Sequence, residues 1–319
     1  MDIHLSFYAT ASAMAKLFIL MLVGYTVYRK KLVTSEFVDT LSRLLINIIF
    51  PSLIFYKTVS HFSFNEYPFW WALPVIAAGF SIFGMLLGKI TVGFLKDFRS
   101  QKEFFCAAGF QNCGYLPMNL ILFSFAGVLR DRLLIYMFLF IIGFNLLMWS
   151  IVPFYLKSGR KMPFHPKVLL NPPVIATVLS LLWVAIFGKG TVPQVIMDPV
   201  GQLGQASFPL AMLTLGAYLC RYSAHRPAAG LPVITAVFLK LLVFPLLVLL
   251  VLCAVRAGND LGFFLLLEAA MPTAVSLVVV GSYTGADNRF FSSVVFYSHL
   301  AAIFTIPLWI EIYNAIFKA

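Results

Sequence analysis

The feature that most limits what this chain can become is the length of its apolar stretches. Runs of roughly 18 or more residues with few charges recur from end to end, and each can cross a hydrocarbon layer about 30 Å thick as a helix. A helix satisfies its own backbone hydrogen bonds, so in lipid it needs no outside partner for them. Dividing the runs at their polar breaks gives about ten spans, at 6–28, 34–58, 68–94, 103–127, 132–156, 172–188, 195–220, 231–255, 260–284 and 291–316. Composition agrees, with 61% hydrophobic and 11% charged residues where soluble chains run near about half and about a quarter. The expected fold class is an all-α polytopic membrane protein lying in a lipid bilayer.

The net charge of +11 does not mark a nucleic-acid surface, because no contiguous basic face with interleaved aromatics is present. The loops after the odd-numbered spans hold Arg29, Lys30, Lys31, Lys96, Arg99, Lys102, Lys157, Arg160, Lys161, Lys167, Arg221, Arg226 and Arg289. The opposite side holds Lys57, Arg130, Arg132, Lys189, Arg256 and Lys318. That bias assigns the odd-numbered loops to the cytoplasm and both termini to the non-cytoplasmic side of a plasma (bacterial inner) membrane. Met1 to Ala15 has no basic n-region or cleavage site, so the first run reads as a span rather than a signal peptide. Cys106, Cys113, Cys220 and Cys253 form no close-spaced pair, so neither a disulfide framework nor a zinc site is indicated. The spans carry no paired acids, metal-ligand cluster or nucleophile–base spacing, so neither an enzyme nor a cofactor is expected.

Self-comparison reveals a repeat. Leu73-Pro74-Val75-Ile76-Ala77-Ala78-Gly79-Phe80 and Leu231-Pro232-Val233-Ile234-Thr235-Ala236-Val237-Phe238 share six identities in eight at an offset of 158, and Phe50-Pro51 meets Phe208-Pro209 at the same offset. Pro117 pairs with Pro272 at 155, and Pro153 with Pro307 at 154. Anchors in one order with so little drift imply two five-span units, residues 1–160 and 161–319. Five is odd, so the second unit enters the membrane from the opposite side. Inverted repeats of this kind mark secondary transporters, with substrate near the midplane where the halves meet; a duplication kept only for packing is the plainer alternative.

Spans four and nine carry the chemistry. Each is interrupted by a proline, Pro117 or Pro272, which removes a backbone hydrogen bond and clashes with the preceding turn. Breaks at matching positions point to discontinuous helices crossing at the bilayer centre, whose free N-termini suit an anion. Simple proline kinks are the competing reading. Polar residues recur at fixed distances before the paired prolines: Asn47 and Gln205 four before Pro51 and Pro209, Cys113 and Glu268 four before Pro117 and Pro272, Asn145 and His299 eight before Pro153 and Pro307. They suggest one central polar site, against interhelical hydrogen-bond glue as the alternative. Asn112, Cys113, Gly114, Pro117, Pro272, Thr273, Asn47 and Gln205 are the candidate substrate contacts. Asn112 supplies an amide donor for a carboxylate, and Gly114 permits close backbone approach. Glu268, the acid farthest from any loop, is the candidate coupling site for H⁺ or Na⁺, with His299 and Asn145 beside it. A structural pair of Glu268 with His299 or Lys240 competes with that role. Lys240 either snorkels or neutralises Glu268.

These segments resemble the auxin efflux carrier family, including its bacterial members. The matching stretches are Gln111-Asn112-Cys113-Gly114-Tyr115-Leu116-Pro117, Leu170-Asn171-Pro172-Pro173, Phe208-Pro209-Leu210-Ala211, Ala270-Met271-Pro272-Thr273-Ala274 and Thr305-Ile306-Pro307-Leu308-Trp309. The resemblance implies ten helices in two inverted five-helix repeats, with helices four and nine crossing at Pro117 and Pro272. It further implies scaffold helices over 6–58 and 172–220, a moving transport unit over 68–156 and 231–316, and a homodimer joined through the scaffold. Similar proteins carry organic anions: auxins in plants, malonate, malate or related carboxylates in bacteria. The chain departs from the plant pattern in its short loop between spans five and six. Glu268 at the crossover also resembles the sodium site of the bile acid symporter fold.

The combined expectation is a secondary transporter of a small organic anion working by elevator-type alternating access. Its rivals are a sodium-coupled symporter of the bile acid type and a membrane sensor that binds an anion or lipid without moving it.

Overall fold

A computed structural model describes residues 7–95, 98–157, 171–223 and 230–317. Lys96, Arg160, Lys161, Lys167, Arg226 and Lys318 of the charge pattern, Leu170 of the matching stretches and the 160/161 repeat boundary lie outside the described residues. Every regular element among the described residues is helical. In the first half these are α1 (Phe7–Arg29), α2 (Ser35–Leu44), a π turn (Leu45–Ile49), α3 (Phe50–His61), α4 (Ala72–Val92), α5 (Gln101–Gly109), α6 (Tyr115–Ser124) and α7 (Gly127–Leu156). The second half has α8 (Pro172–Phe187), α9 (Gln194–Gln205), α10 (Ser207–Ser223), α11 (Leu231–Phe238), a π turn (Leu239–Val243), α12 (Phe244–Ala254), α13 (Asp260–Ala269), α14 (Ser276–Thr284) and α15 (Asn288–Phe317).

Among the described residues, 7 helical stretches are long and apolar enough to cross a membrane: Thr10–Arg29, Ser35–His61, Ala72–Val92, Gly127–Leu156, Gln194–Ser223, Leu231–Ala254 and Asn288–Phe317. The expected spans at 103–127 and 260–284 are each split into two short helices, α5 with α6 and α13 with α14. The expected span at 172–188 is α8, whose apolar run is shorter.

Proline explains the two π turns. Each immediately precedes a Phe-Pro pair, Phe50-Pro51 or Phe244-Pro245, and the phenylalanine N–H reaches back to Leu45 or Leu239. A proline cannot donate to the carbonyl four residues before it, and its ring crowds that carbonyl. One wider turn relieves the clash without ending the helix. The carbonyl that Pro245 leaves unbonded belongs to Leu241, and Trp309 Nε1 donates to it at 2.8 Å. That bond ties α15 to the second π turn.

Helices of the two halves interleave. α1 packs along α10, α3 against α8 and α9, and α4 against α5 and α7. The α1–α10 contact depends on glycine. A Cβ on Gly24 would strike the Leu213 backbone, and one on Gly216 would strike the Met21 carbonyl. Backbones this close gain dispersion contacts where lipid offers no hydrophobic drive for helix association.

Candidate functional site

The two interrupted spans meet at their breaks. α5 ends at Gly109, and the chain runs irregularly through Phe110–Gly114 before α6 begins. α13 ends at Ala269, and 270–275 lead into α14. Gln111 and Thr273 pair there as an isolated antiparallel bridge. Asn112 N–H donates to the Pro272 carbonyl at 2.7 Å, and Ala274 N–H donates to the Phe110 carbonyl at 2.9 Å. Each break therefore satisfies backbone groups that the other leaves free, which lets irregular chain persist away from water. Thr273 completes the junction by donating its hydroxyl to Ala107 O at 3.1 Å, while its N–H donates to Ser298 Oγ at 3.2 Å.

Asn112 locks the junction to the start of α6. Its Oδ1 accepts the Tyr115 N–H at 3.1 Å, and its Nδ2 lies 3.0 Å from His299 Nε2. His299 Nδ1 sits 2.8 Å from the Val295 carbonyl, which only accepts. Nδ1 must therefore carry the proton and Nε2 must accept from Asn112. His299 thus bonds Asn112 and the Val295 carbonyl, and it forms no hydrogen bond with Glu268.

An inner cavity of about 150 Å³ opens against this junction, lined by Gln111, Asn112, Cys113, Gly114, Asn145 and Asn171 among others. Tyr115, Pro173 and Ser276 also line it, so the N-termini of α6, α8 and α14 all border the same space. Their positive dipole ends favour an anion, although the first N–H groups of α8 are either absent, at Pro172 and Pro173, or already bonded to Asn171. Asn145 Nδ2 donates to Asn171 Oδ1 at 3.5 Å, and Trp149 Nε1 donates to Asn145 Oδ1 at 3.2 Å. Asn171 Oδ1 also caps α8 through Val174 N–H at 3.1 Å. Two buried amide donors on this wall, Gln111 Nε2 and Asn171 Nδ2, have no hydrogen-bond partner. A carboxylate, which only accepts, complements them.

A larger cavity of about 790 Å³ shares Ile46, Tyr115, Trp149, Val275 and Ser276 with the inner one. Its far wall carries Asp39, Arg43, Arg221 and Arg289, on the end of the molecule where the charge bias places the cytoplasm. The opposite end is joined by charge. Lys57 Nζ on α3 lies 2.7 Å from Asp131 Oδ1 on α7, and His61 Nε2 lies 3.5 Å from Asp131 Oδ2.

Glu268 lies beside the junction but lines neither cavity. It is fully buried, and neither carboxylate oxygen has a hydrogen-bond partner. Lys240, on the second π turn, is also fully buried, so it does not snorkel. Its ammonium donates to Gln111 Oε1 at 3.4 Å and lies 4.4 Å from the centre of the Phe244 ring. Lys240 is within electrostatic range of Glu268 and Cys113, although no Lys240–Glu268 ion pair within 4.0 Å is formed.

The structure thus gathers Asn112, Cys113, Gly114 and Asn145 at the inner cavity, while Thr273, Pro272 and His299 do not line it and are hydrogen-bonded at the junction beside it. The break in span four precedes Pro117, which sits buried in the first turn of α6, where a missing N–H costs nothing. Asn47 and Gln205 are not brought to the inner cavity in this structure. Both are exposed on the outside of the helices and outside both cavities. The spacing that led to them is a property of the prolines, and neither side chain turns toward the crossover. Gln111, Asn171, Tyr115 and Trp149 are cavity residues that reasoning from proline offsets missed. Asn171-Pro172-Pro173 was the available signal, because asparagine followed by proline is a helix start.

A family model described as "membrane transport protein" matches residues 9–166 and 160–310. The chain is similar to an uncharacterized transporter of Methanothermobacter thermautotrophicus, 26% identical over 313 residues, covering 95% of this chain and 98% of that protein. A second uncharacterized transporter, from Methanocaldococcus jannaschii, is 24% identical over 296 residues, covering 91% of this chain and 94% of its own length. Protein PIN-LIKES 2 of Arabidopsis thaliana is 28% identical over 165 residues, 46% of this chain and 35% of that protein.

Proposed function

The chain belongs to the membrane transport protein family, the auxin efflux carrier type of transporter rather than an enzyme, and from that premise we propose that it carries a small organic anion across the membrane. The observation that carries this reading is the inner cavity, where three helix N-termini border one space beside the buried, unpartnered amide nitrogens of Gln111 and Asn171. Its volume of about 150 Å³ falls below the roughly 300 Å³ at which drug-sized sites begin. A C3–C4 acid such as malonate or malate therefore suits it better than an indole-sized auxin.

The ten helices form two inverted five-helix repeats, with α5–α6 and α13–α14 as the crossed fourth and ninth. The interleaved packing of α1, α3, α8, α9 and α10 supports their role as scaffold. α4–α7 and α11–α15 move against it in an elevator-type cycle, and the scaffold joins two copies into a homodimer. The conformation is inward-facing: the large cavity leads from the basic end to the crossover, while Lys57, His61 and Asp131 tie scaffold to transport unit at the other end. Lys240 and Glu268 are both fully buried and within electrostatic range of each other, so a proton can pass between them, and the coupling ion in this reading is H⁺ exchanged at that pair.

A thermal-shift screen of carboxylates, with and without Na⁺ at two pH values, tests the reading. A ligand that prefers the native state raises its stability, by about 2.7 kcal/mol at a concentration of 100 Kd. Stabilisation by a C3–C4 acid without Na⁺ is expected. A stabilising effect that requires Na⁺ would favour the bile acid type of symporter instead, and binding without flux would favour a sensor.

A further inference from the structure

The large cavity carries more charge than a passage needs. Three arginines and one aspartate line it; Arg43, Arg221 and Arg289 less Asp39 leave a formal charge of 3 − 1 = +2. Arg221 is engaged by Asp39, with Nη1 at 3.0 and 3.2 Å from the two carboxylate oxygens, and Tyr218 Oη donates to the same carboxylate at 3.2 Å. Arg43 reaches only Thr40 Oγ1, at 3.2 Å, and Arg289 has no acidic partner among the described residues. The excess charge thus resides on two free guanidiniums, one from each half of the chain. Between them and the crossover the wall is built from Ile46, Tyr115, Trp149 and Val275. A cleft of one sign with low-dielectric walls focuses its field and concentrates counter-ions.

We propose that this cavity is an anion-capture vestibule in which Arg43 and Arg289 select dicarboxylates over monocarboxylates before the anion reaches the inner site. The proposal rests on the reading of the protein as an anion transporter. Its selectivity follows from charge. A potential that enriches a monoanion by some factor enriches a dianion by the square of that factor, so removing it costs the dianion twice as much on a logarithmic scale. Guanidinium also matches a carboxylate geometrically, with paired parallel N–H donors.

The test is initial uptake of malonate and of propionate by reconstituted protein, at low and at physiological ionic strength. In the R43Q/R289Q variant, kcat/KM for malonate should fall about tenfold at low salt and that for propionate about threefold, the lower end of electrostatic focusing. The salt dependence should flatten in the variant, because screening acts on the field that has been removed. R43K/R289K, which keeps the charge, should restore the salt dependence and so exclude a folding defect. If the wild type carries malonate but R43Q/R289Q matches it at both salt concentrations, the vestibule proposal is wrong and the transport reading stands. If the wild type carries neither acid, both fall together.

Discussion

Replacing Lys240 by methionine gives the sharpest test of how the buried charges are held. The ammonium is fully buried, and its recorded bonds reach Gln111 and the Phe244 ring. Glu268 is equally buried, with both oxygens unbonded. They form no ion pair within 4.0 Å, so at an effective dielectric of about 20 the attraction between the charged groups is at most roughly 4 kcal/mol. Removing one partner of a buried pair leaves the other uncompensated and typically costs about 3–5 kcal/mol. K240M and E268Q alone should therefore each destabilise the protein substantially. The double variant should cost less than the sum of the two by about 2–3 kcal/mol, the coupling energy of the pair. Chemical unfolding in detergent micelles, read by tryptophan fluorescence, measures all four corners of the cycle. Additivity within about 0.5 kcal/mol would mean that Glu268 is held by something other than Lys240.

Three further outcomes follow from the same geometry. A Cβ on Gly114 meets nothing within 4 Å and its φ is −118°, so Gly114→Leu should fold normally yet fill the inner cavity; thermal shift should show unchanged stability and loss of the ligand response. Gly216→Ala should force α1 from α10, because its Cβ meets the Met21 carbonyl, lowering stability by about 1–3 kcal/mol as overpacking does; unchanged unfolding would mean the helices part freely. Asp131→Asn removes the charge that binds Lys57 and His61, so the outward-open state should gain population. Labelling of Cys113 by a maleimide added from the basic side should then slow, and an unchanged rate would remove this cluster from the gate.

Much of the architecture was legible because proline and apolar length act locally. The expected boundaries fall within about five residues of the helix ends, and the two interrupted spans are those holding Pro117 and Pro272, although Pro117 itself sits in the first turn of α6, where its missing N–H costs nothing. Lys240 shows the limit. Its position in a long apolar run leaves snorkelling and neutralisation of Glu268 both open; the fold buries it on the π turn ahead of Pro245, beside Gln111 and within electrostatic range of Glu268. Asn47 and Gln205 show another limit. Spacing from a proline fixes sequence distance, but the direction a side chain faces depends on which helices pack around it. The cavity itself was illegible, because Asn171, Asn145 and Gln111 come from three separate elements that only the folded chain brings to one wall.

Passage of an anion through the crossover is read directly as flux. Purified protein in liposomes loaded with malonate should exchange external radiolabelled malonate far faster than protein-free liposomes. The exchange should persist without Na⁺ and be lost in Gly114→Leu. Saturable malonate binding with no exchange above the protein-free rate would make the protein a sensor, and exchange that vanishes when Na⁺ is withdrawn would make it a sodium symporter.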